Sequence, residues 1–312
     1  MIEGQENVGW EDWTALAGAC EEHGIPGLYR SDHYKSFAET GERAALDAWG
    51  TLCGLAPLTS RIRLGTMVSP TSFRHPSVLA KLAVTADHVS GGRIDLGIGA
   101  GWNEAEHAAF GFPFHDLKTR MDIFEEQVEI VAGLLGPEPF AFEGEHYRLA
   151  EDDARPKPVN GRLPLILGGA AGKRGARIAA RWADEYNTVG VGPDECRARR
   201  ERLAAACEAA GRDPSTQRFS LMTGTLVGRD EAELHDRARA LAELQGQAGR
   251  EPAELVAELR SSGWVAGVID DAAEQLRALA GAGVERVLCQ LLLHRDLDQV
   301  AVIGRELAPK IS

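Results

Sequence analysis

Eight short apolar runs alternate with amphipathic helical stretches along the 312 residues, and that alternation predicts an α/β fold, a (β/α)8 TIM barrel. The runs are apolar at consecutive positions, as strands covered on both faces are. The competing architecture, a doubly wound sheet, normally carries a G-x-G-x-x-G turn. The best match, IDLGIGAGWNEAEHAAFGF over 94–112, has Trp102 where the third glycine belongs. The whole chain, 1–312, is expected to form one domain.

The expected strands are MIEGQ (1–5), GLYRSD (27–32), IRLGTMV (62–68), IDLGIG (94–99), PLILGG (164–169), EYNTVG (185–190), RFSLMTGTLVG (218–228) and ERVLCQLLL (285–293). Helices are expected near 10–24, 44–56, 76–90, 117–135, 172–183, 194–210, 230–245, 270–281 and 296–308. Over 76–90, Pro76 suits a first helical turn, and Leu79, Leu82, Ala83, Ala86 and Val89 recur at helical spacing. Gly91 and Gly92 then stop the helix. Two spacings break the rhythm. An insertion follows strand four and holds a short helix near 103–110, a long helix and a hairpin around Glu143-Gly144 in FAFEGEHYRL (140–149). A second insertion, 246–269, follows strand seven. Both fall at the C-terminal mouth, where barrel enzymes keep their sites.

Composition excludes several classes. Acidic residues outnumber basic ones, 47 to 34, for a net charge of −13, which argues against nucleic-acid and anionic-membrane partners. No apolar run approaches the roughly 18 residues that span a bilayer. The start, MIEGQENVGWEDW, has no basic segment followed by an apolar one, so a cytoplasmic protein is expected. Five cysteines without a C-x-x-C pair read as reduced thiols.

Four stretches carry candidate chemistry. Gly97, Gly99 and Gly101, followed by Trp102 and Asn103, read as a wall that a flat ligand can approach closely; the alternative is a tight strand-to-helix turn. LYRSDHY gathers Arg30, Ser31, Asp32, His33 and Tyr34 where strand two ends. His33 suits a proton-handling role, with Asp32 either fixing its tautomer or capping the next turn; a structural histidine is the rival reading. LGTMVSPTSFRHP, with Gly65, Thr66, Ser69 and Pro70, implies an irregular strand end. LILGGAAGKRGAR resembles a Walker loop but places three residues, not four, between Gly168 and Gly172, and has Arg174 in place of Ser/Thr. Strand, glycines and helix start still make an anion site, with Lys173 and Arg174 adding charge. No metal is expected, because the nine histidines are dispersed. Glu104, Glu106 and His107 could share a helix face, but Glu104 and His107 read as a common solvated pair. No G-x-S-x-G elbow is present.

SDHY, the run SRIRLGTMVSPTSFRHPSVLAKLAVTADHVSGGRIDLGIGAGWNEAEHAAFGFPF, FEGEHYRL, PKPV and LPLILGGAAGKRGARIAARWADEYN together resemble the bacterial luciferase-like flavin oxidoreductases. The likeness is greatest to their branch using the deazaflavin coenzyme F420, and it extends over roughly residues 9–308. It implies a barrel with insertions after strands four and seven, and a homodimer. It implies a non-prolyl cis peptide at Met67-Val68, or one bond later at Ser69, beneath the central ring of the cofactor. Thr66, Met67 and Val68 would then line the cofactor, and His33 would stand beside the reactive ring carbon. Gly99, Ala100, Gly101 and Trp102 would line the ring and ribityl chain. Gly168, Gly169, Ala170 and Gly172 would hold the phosphate, aided by Asn187, and Lys173, Arg174 and Arg177 would face the anionic tail. Sugar-phosphate dehydrogenases of the family carry a glutamate just after the strand-four glycines, where Trp102 stands here, so a glucose-6-phosphate reaction is not expected.

The resemblance thus implies hydride transfer between coenzyme F420 and a small organic substrate, with His33 catalytic. The alternative within the fold is an FMN-dependent monooxygenase; a deazaflavin lacks the nitrogen that gives flavins their oxygen reactivity. A non-redox barrel binding a phosphorylated metabolite needs a Schiff-base lysine or a metal, and no lysine falls in an expected strand.

Overall fold

The computed structural model describes residues 1–38 and 43–311. In chain order the strands are β1 (Gly27–Arg30), β2 (Arg63–Thr66), β3 (Ser69–Pro70), β4 (Ile94–Gly99), β5 (Phe140–Glu143), β6 (Arg148–Asp152), β7 (Leu165–Gly168), β8 (Glu185–Val189), β9 (Arg218–Gly228), β10 (Val265–Val268) and β11 (Arg286–Gln290). The helices are α1 (Trp10–Glu22), α2 (Ala48–Leu55), α3 (Pro76–Ser90), α4 (Glu104–Phe110), α5 (Leu117–Leu135), α6 (Lys173–Trp182), α7 (Pro193–Ala209), α8 (Glu231–Leu244), α9 (Pro252–Ser261), α10 (Ile269–Gly281) and α11 (Leu297–Val302).

The central sheet runs β1-β2-β4-β7-β8-β9-β10, with β3 on β4 and β11 on β9, and each of these pairings is parallel. Backbone hydrogen bonds also join its two ends. Ile2 N–H donates to Tyr29 O at 2.9 Å, and Leu291 N–H donates to Met1 O at 3.0 Å, so Met1 and Ile2 link β1 to β11 as a barrel requires. Alternation along each strand sends Ile94, Leu96 and Ile98 outward into the main core, and Asp95, Gly97 and Gly99 inward. The interior is layered. Tyr29, Asp95, Glu185 and Arg286 form a polar layer near the strand starts: Arg286 donates to Tyr29 Oη at 2.8 Å and pairs with Glu185 at 2.7 Å. Met67, Ile166, Met222 and Leu288 pack above them, with Val68 against that cluster.

Several expectations needed correction. Residues 1–5 form a single bridge, Ile2 to Arg30, and then a turn, because Glu3 and Gln5 turn into side-chain hydrogen bonds. The strand expected over 62–68 is shorter, β2 ending at Thr66; the Met67–Val68 peptide is cis, and the two-residue β3 follows beyond the expected limit. The helix expected from residue 44 starts at Ala48, where Asp47 caps it by accepting from Gly50 N–H at 2.8 Å. The insertion 246–269 holds α9 and a further strand, β10. This is possible because β9 is long: its first half pairs β11 and its second half pairs β10. The two halves meet at Gly224, where a Cβ would lie 2.1 Å from the Trp264 ring. The hairpin β5–β6 forms as expected, with Glu143 opposite Arg148. Among the described residues, no helix is long and apolar enough to cross a membrane.

Candidate active site

The candidate residues gather where β1, β2, β4, β7 and β8 end. His33 follows β1, and its Nδ1–H donates to Glu106 Oε2 at 2.6 Å. Glu106 is on α4, fully buried, and also accepts from the backbone N–H groups of Tyr34 and Lys35. Burial alone pushes the Glu106 carboxyl up. The hydrogen bond from His33, with the two backbone N–H groups, outweighs burial and holds it below its ordinary value. An ionised carboxylate only accepts, so the His33 proton sits on Nδ1. Among the described residues, Nε2 has no hydrogen-bond partner. The His33 ring is edge-on to Phe37 and Trp102, at centroid distances of 4.9 and 5.9 Å. Trp102 is 64% exposed and Phe37 45%, so two large aromatic faces stand open beside the imidazole.

Asp32 does not orient His33. It is fully buried, accepts from Ser69 Oγ at 2.6 Å and pairs with Arg74 at 2.5 Å. Arg74 also reaches Asp47 and Tyr34 Oη. Arg30 is likewise structural: its guanidinium donates to Thr51 Oγ1 and Leu46 O and lies over the Trp13 ring. Ser31 donates to Gln5 Oε1 at 2.6 Å, and Gln5 donates to Glu3 at 2.9 Å. Gln290, at the end of β11, donates to the other oxygen of Glu3.

The glycines play a more specific part than a bare wall. A Cβ on Gly97 would lie 2.9 Å from Val68 Cγ1, on Gly99 2.6 Å from Val68 Cγ2, and on Gly168 3.2 Å from Val68 Cγ1. The missing side chains of β4 and β7 make room for Val68, so the mouth has an isopropyl floor. Thr66, beneath it, is buried and donates to Gly97 O at 3.0 Å. Gly101 has φ +77°, a backbone only glycine adopts freely.

Gly168–Gly172 form the turn from β7 to α6. Gly169 N–H donates to Asn187 O at 3.0 Å, and Ala171 N–H to Tyr186 Oη at 2.8 Å. Those two amides are engaged within the chain. Gly172 caps α6 without a side-chain acceptor, and nothing lies within 4 Å of where its Cβ would be. The helix start is therefore open to an anion. The Asn187 side chain donates to Ser220 Oγ at 2.9 Å inside the barrel, and it is the Asn187 backbone that meets the turn. Arg174 pairs with Asp122 and Glu125, and Arg177 with Glu125, so α5 already neutralises both; Lys173 is exposed. Ala100 and Met67 stand beside and below this mouth. No group of three or more metal-ligating side chains occurs among the described residues.

Sequence reasoning missed Glu106, Tyr186 and Gln290 as parts of the site. One signal was present: Asn103 and Glu106 have the N-x-x-E spacing of a helix start, which puts Glu106 in the first turn facing the preceding chain. Tyr186 and Gln290 have no local signature.

Comparison with known proteins agrees with this architecture. Residues 2–292 match the family model described as luciferase-like monooxygenase. An F420-dependent glucose-6-phosphate dehydrogenase of Rhodococcus erythropolis is 27% identical over 325 residues, covering 98% of this chain and 95% of that protein. Among solved structures, an F420-dependent secondary alcohol dehydrogenase aligns with a TM-score of 0.81 at 19% identity, covering 100% of this chain and 98% of that one. A monooxygenase from Streptomyces bottropensis aligns at 0.79 and 20% identity, covering 100% and 99%. With a family model matching nearly its whole length on a parallel α/β fold of the same kind, the chain belongs to the luciferase-like family of oxidoreductases.

Proposed function

We propose that the chain, acting as one domain, moves a hydride between coenzyme F420 and a small organic substrate. The observation that carries this is the arrangement at the mouth: an apolar floor at Val68, a histidine fixed by a buried carboxylate, and an uncapped helix start at Gly172. The fit is chemical. A flat ring needs an apolar floor and aromatic flanks, which Val68, Trp102 and Phe37 supply. A phosphate needs free N–H groups at a helix N-terminus, which α6 supplies. When bound, the deazaflavin supplies the hydride chemistry at its C5 carbon.

The chain's own residues then have defined tasks. Val68 and Trp102 orient the ring and exclude water from its faces. His33, with Nδ1–H committed to Glu106, presents Nε2 as the atom that accepts or returns a substrate proton. Glu106 is a positioning residue that acts through His33.

Anaerobic single-turnover reaction of the reduced cofactor with a panel of ketones, enones and imines tests this reading. Loss of the reduced-cofactor signal, with deuterium from C5 appearing in the product, is the expected result. Oxygen uptake with reduced FMN and no transfer from F420 would overturn it in favour of the monooxygenase reading.

A further inference from the structure

Glu3 is a buried carboxylate, 7% exposed, that makes no ion pair among the described residues. It belongs to the wall of the mouth between β1 and β11. Ile2 faces the outer core and Met1 the inner cluster with Met67 and Leu288, so alternation turns Glu3 inward, one step above Met1. Gln290 stands one step above Leu288 on the inner face of β11. The two side chains meet there. Gln290 Nε2 donates to Glu3 Oε1, and Gln5 Nε2 donates to Glu3 Oε2 at 2.9 Å. Gln5 is fully buried and Gln290 half-buried, so the cluster opens at Gln290.

The other carboxylates nearby are matched. Glu6 pairs with Arg43, and Asp32 and Asp47 with Arg74. Glu106 is held by His33. The Met1 ammonium donates to Cys289 O at 2.8 Å and makes no ion pair with Glu3.

The protons of the cluster are fixed. Both Glu3 oxygens accept, so Gln290 and Gln5 each turn the NH2 end of the amide toward it. Gln5 Oε1 then accepts from Ser31 Oγ at 2.6 Å, and Ser31 Oγ accepts from Gly4 N–H at 2.9 Å. Gln290 Oε1 is left without a donor among the described residues. Two N–H donors fill about half of the acceptor capacity of a carboxylate. With His33 Nε2, the mouth thus presents unfilled acceptors from two sides. A buried charge without a counter-ion is costly, and a ligand bringing both positive charge and N–H groups relieves that cost.

We propose that Glu3 and Gln290 receive a cationic nitrogen of the substrate, an ammonium or iminium, so that the bond reduced or formed here is C=N. This substrate class rests on the hydride-transfer reading above. In the reducing direction the iminium carbon takes the hydride of the reduced deazaflavin, and the C=N π pair becomes the nitrogen lone pair. The proton lost from the oxidised cofactor balances the one the imine took up. Glu3 holds the charged nitrogen and stays a carboxylate throughout.

Isothermal titration of the full chain, with and without oxidised F420, tests this with benzylamine against benzyl alcohol near neutral pH. The wild type is expected to bind the ammonium about tenfold or more tighter than the alcohol. Benzyltrimethylammonium, which has the charge but no N–H, is expected to bind about tenfold weaker than benzylamine, a comparison that needs no variant. Glu3→Gln keeps the shape and removes the charge. It is expected to bring ammonium and alcohol within about twofold of each other, with a circular dichroism melt establishing that it is folded. Binding of neither ligand by the wild type, equal binding of alcohol and ammonium, or equal binding of the trimethylated ion overturns the inference. So does an ammonium preference unchanged in folded Glu3→Gln. Weakened F420 binding in Glu3→Gln with amine binding intact would give Glu3 to the cofactor and also overturn it. A Glu3-dependent ammonium preference without any deazaflavin binding would contradict the proposed function and leave the amine site standing. Hydride transfer from F420 to ketones, with no Glu3-dependent preference for amines, would do the reverse.

Discussion

His33 and Glu106 lie 73 residues apart and share a 2.6 Å hydrogen bond, with the carboxylate fully buried behind the imidazole. The bond fixes the His33 tautomer. Nitrogen NMR of the histidine-labelled protein is expected to show His33 protonated at Nδ1 near neutral pH. In Glu106→Gln that preference is expected to weaken, because the charged acceptor is gone. An unchanged tautomer in a folded variant would remove Glu106 from the positioning role.

His33→Ala is expected to leave the barrel folded and to slow hydride transfer more than tenfold, the usual scale for losing acid–base help. Cofactor affinity, read by fluorescence titration, is expected to change far less than the rate. Unchanged turnover would return His33 to a structural part.

Gly97 and Gly172 are expected to answer differently to a side chain. On Gly97 a Cβ would lie 2.2 Å from the Thr66 carbonyl oxygen, so Gly97→Ala is expected to destabilise by roughly 1–3 kcal/mol or more, measured by denaturant melting. Gly172 faces open space, and Gly172→Asp adds a favourable helix cap worth roughly a few tenths of a kcal/mol. The same carboxylate would repel a phosphate at the helix start. A melting temperature that holds or rises, together with cofactor binding at least tenfold weaker, is the expected pair of results. Unweakened binding would move the phosphate elsewhere.

Glu21 gives a pH dependence with a definite sign. Burial raises its carboxyl, but the backbone N–H groups of Arg61, Ile62 and Ser60 more than reverse that and bring it to about 2, against an ordinary 4.5. A group depressed on folding stabilises above its unfolded value and loses that contribution as pH falls. Wild-type stability is therefore expected to drop between about pH 4.5 and 2 more steeply than that of Glu21→Gln. Parallel acid melts of the two proteins would contradict this.

Much of the fold was legible because strand and helix periodicity is local. The runs at 94–99 and 218–228 and the capped helix at 76–90 appear with the same limits in sequence and structure. What escaped depends on long-range pairing. Residues 265–268 form a strand only because β9 is long enough to offer them an edge. The site divided the same way. The glycines of β4 were visible, but that they make room for Val68 depends on contact between strands that sequence does not display. Asp32 stands next to His33 in the chain, yet the charge that fixes the imidazole arrives from α4, while Asp32 turns to Arg74.

Paired fluorescence titrations of the purified apo-protein with oxidised F420 and with FMN test the central claim most directly. Tight F420 binding with FMN at least tenfold weaker is the expected result, and it would direct the search for substrates to hydride donors and acceptors. Preference for FMN, or binding of neither by folded protein, would contradict the deazaflavin assignment.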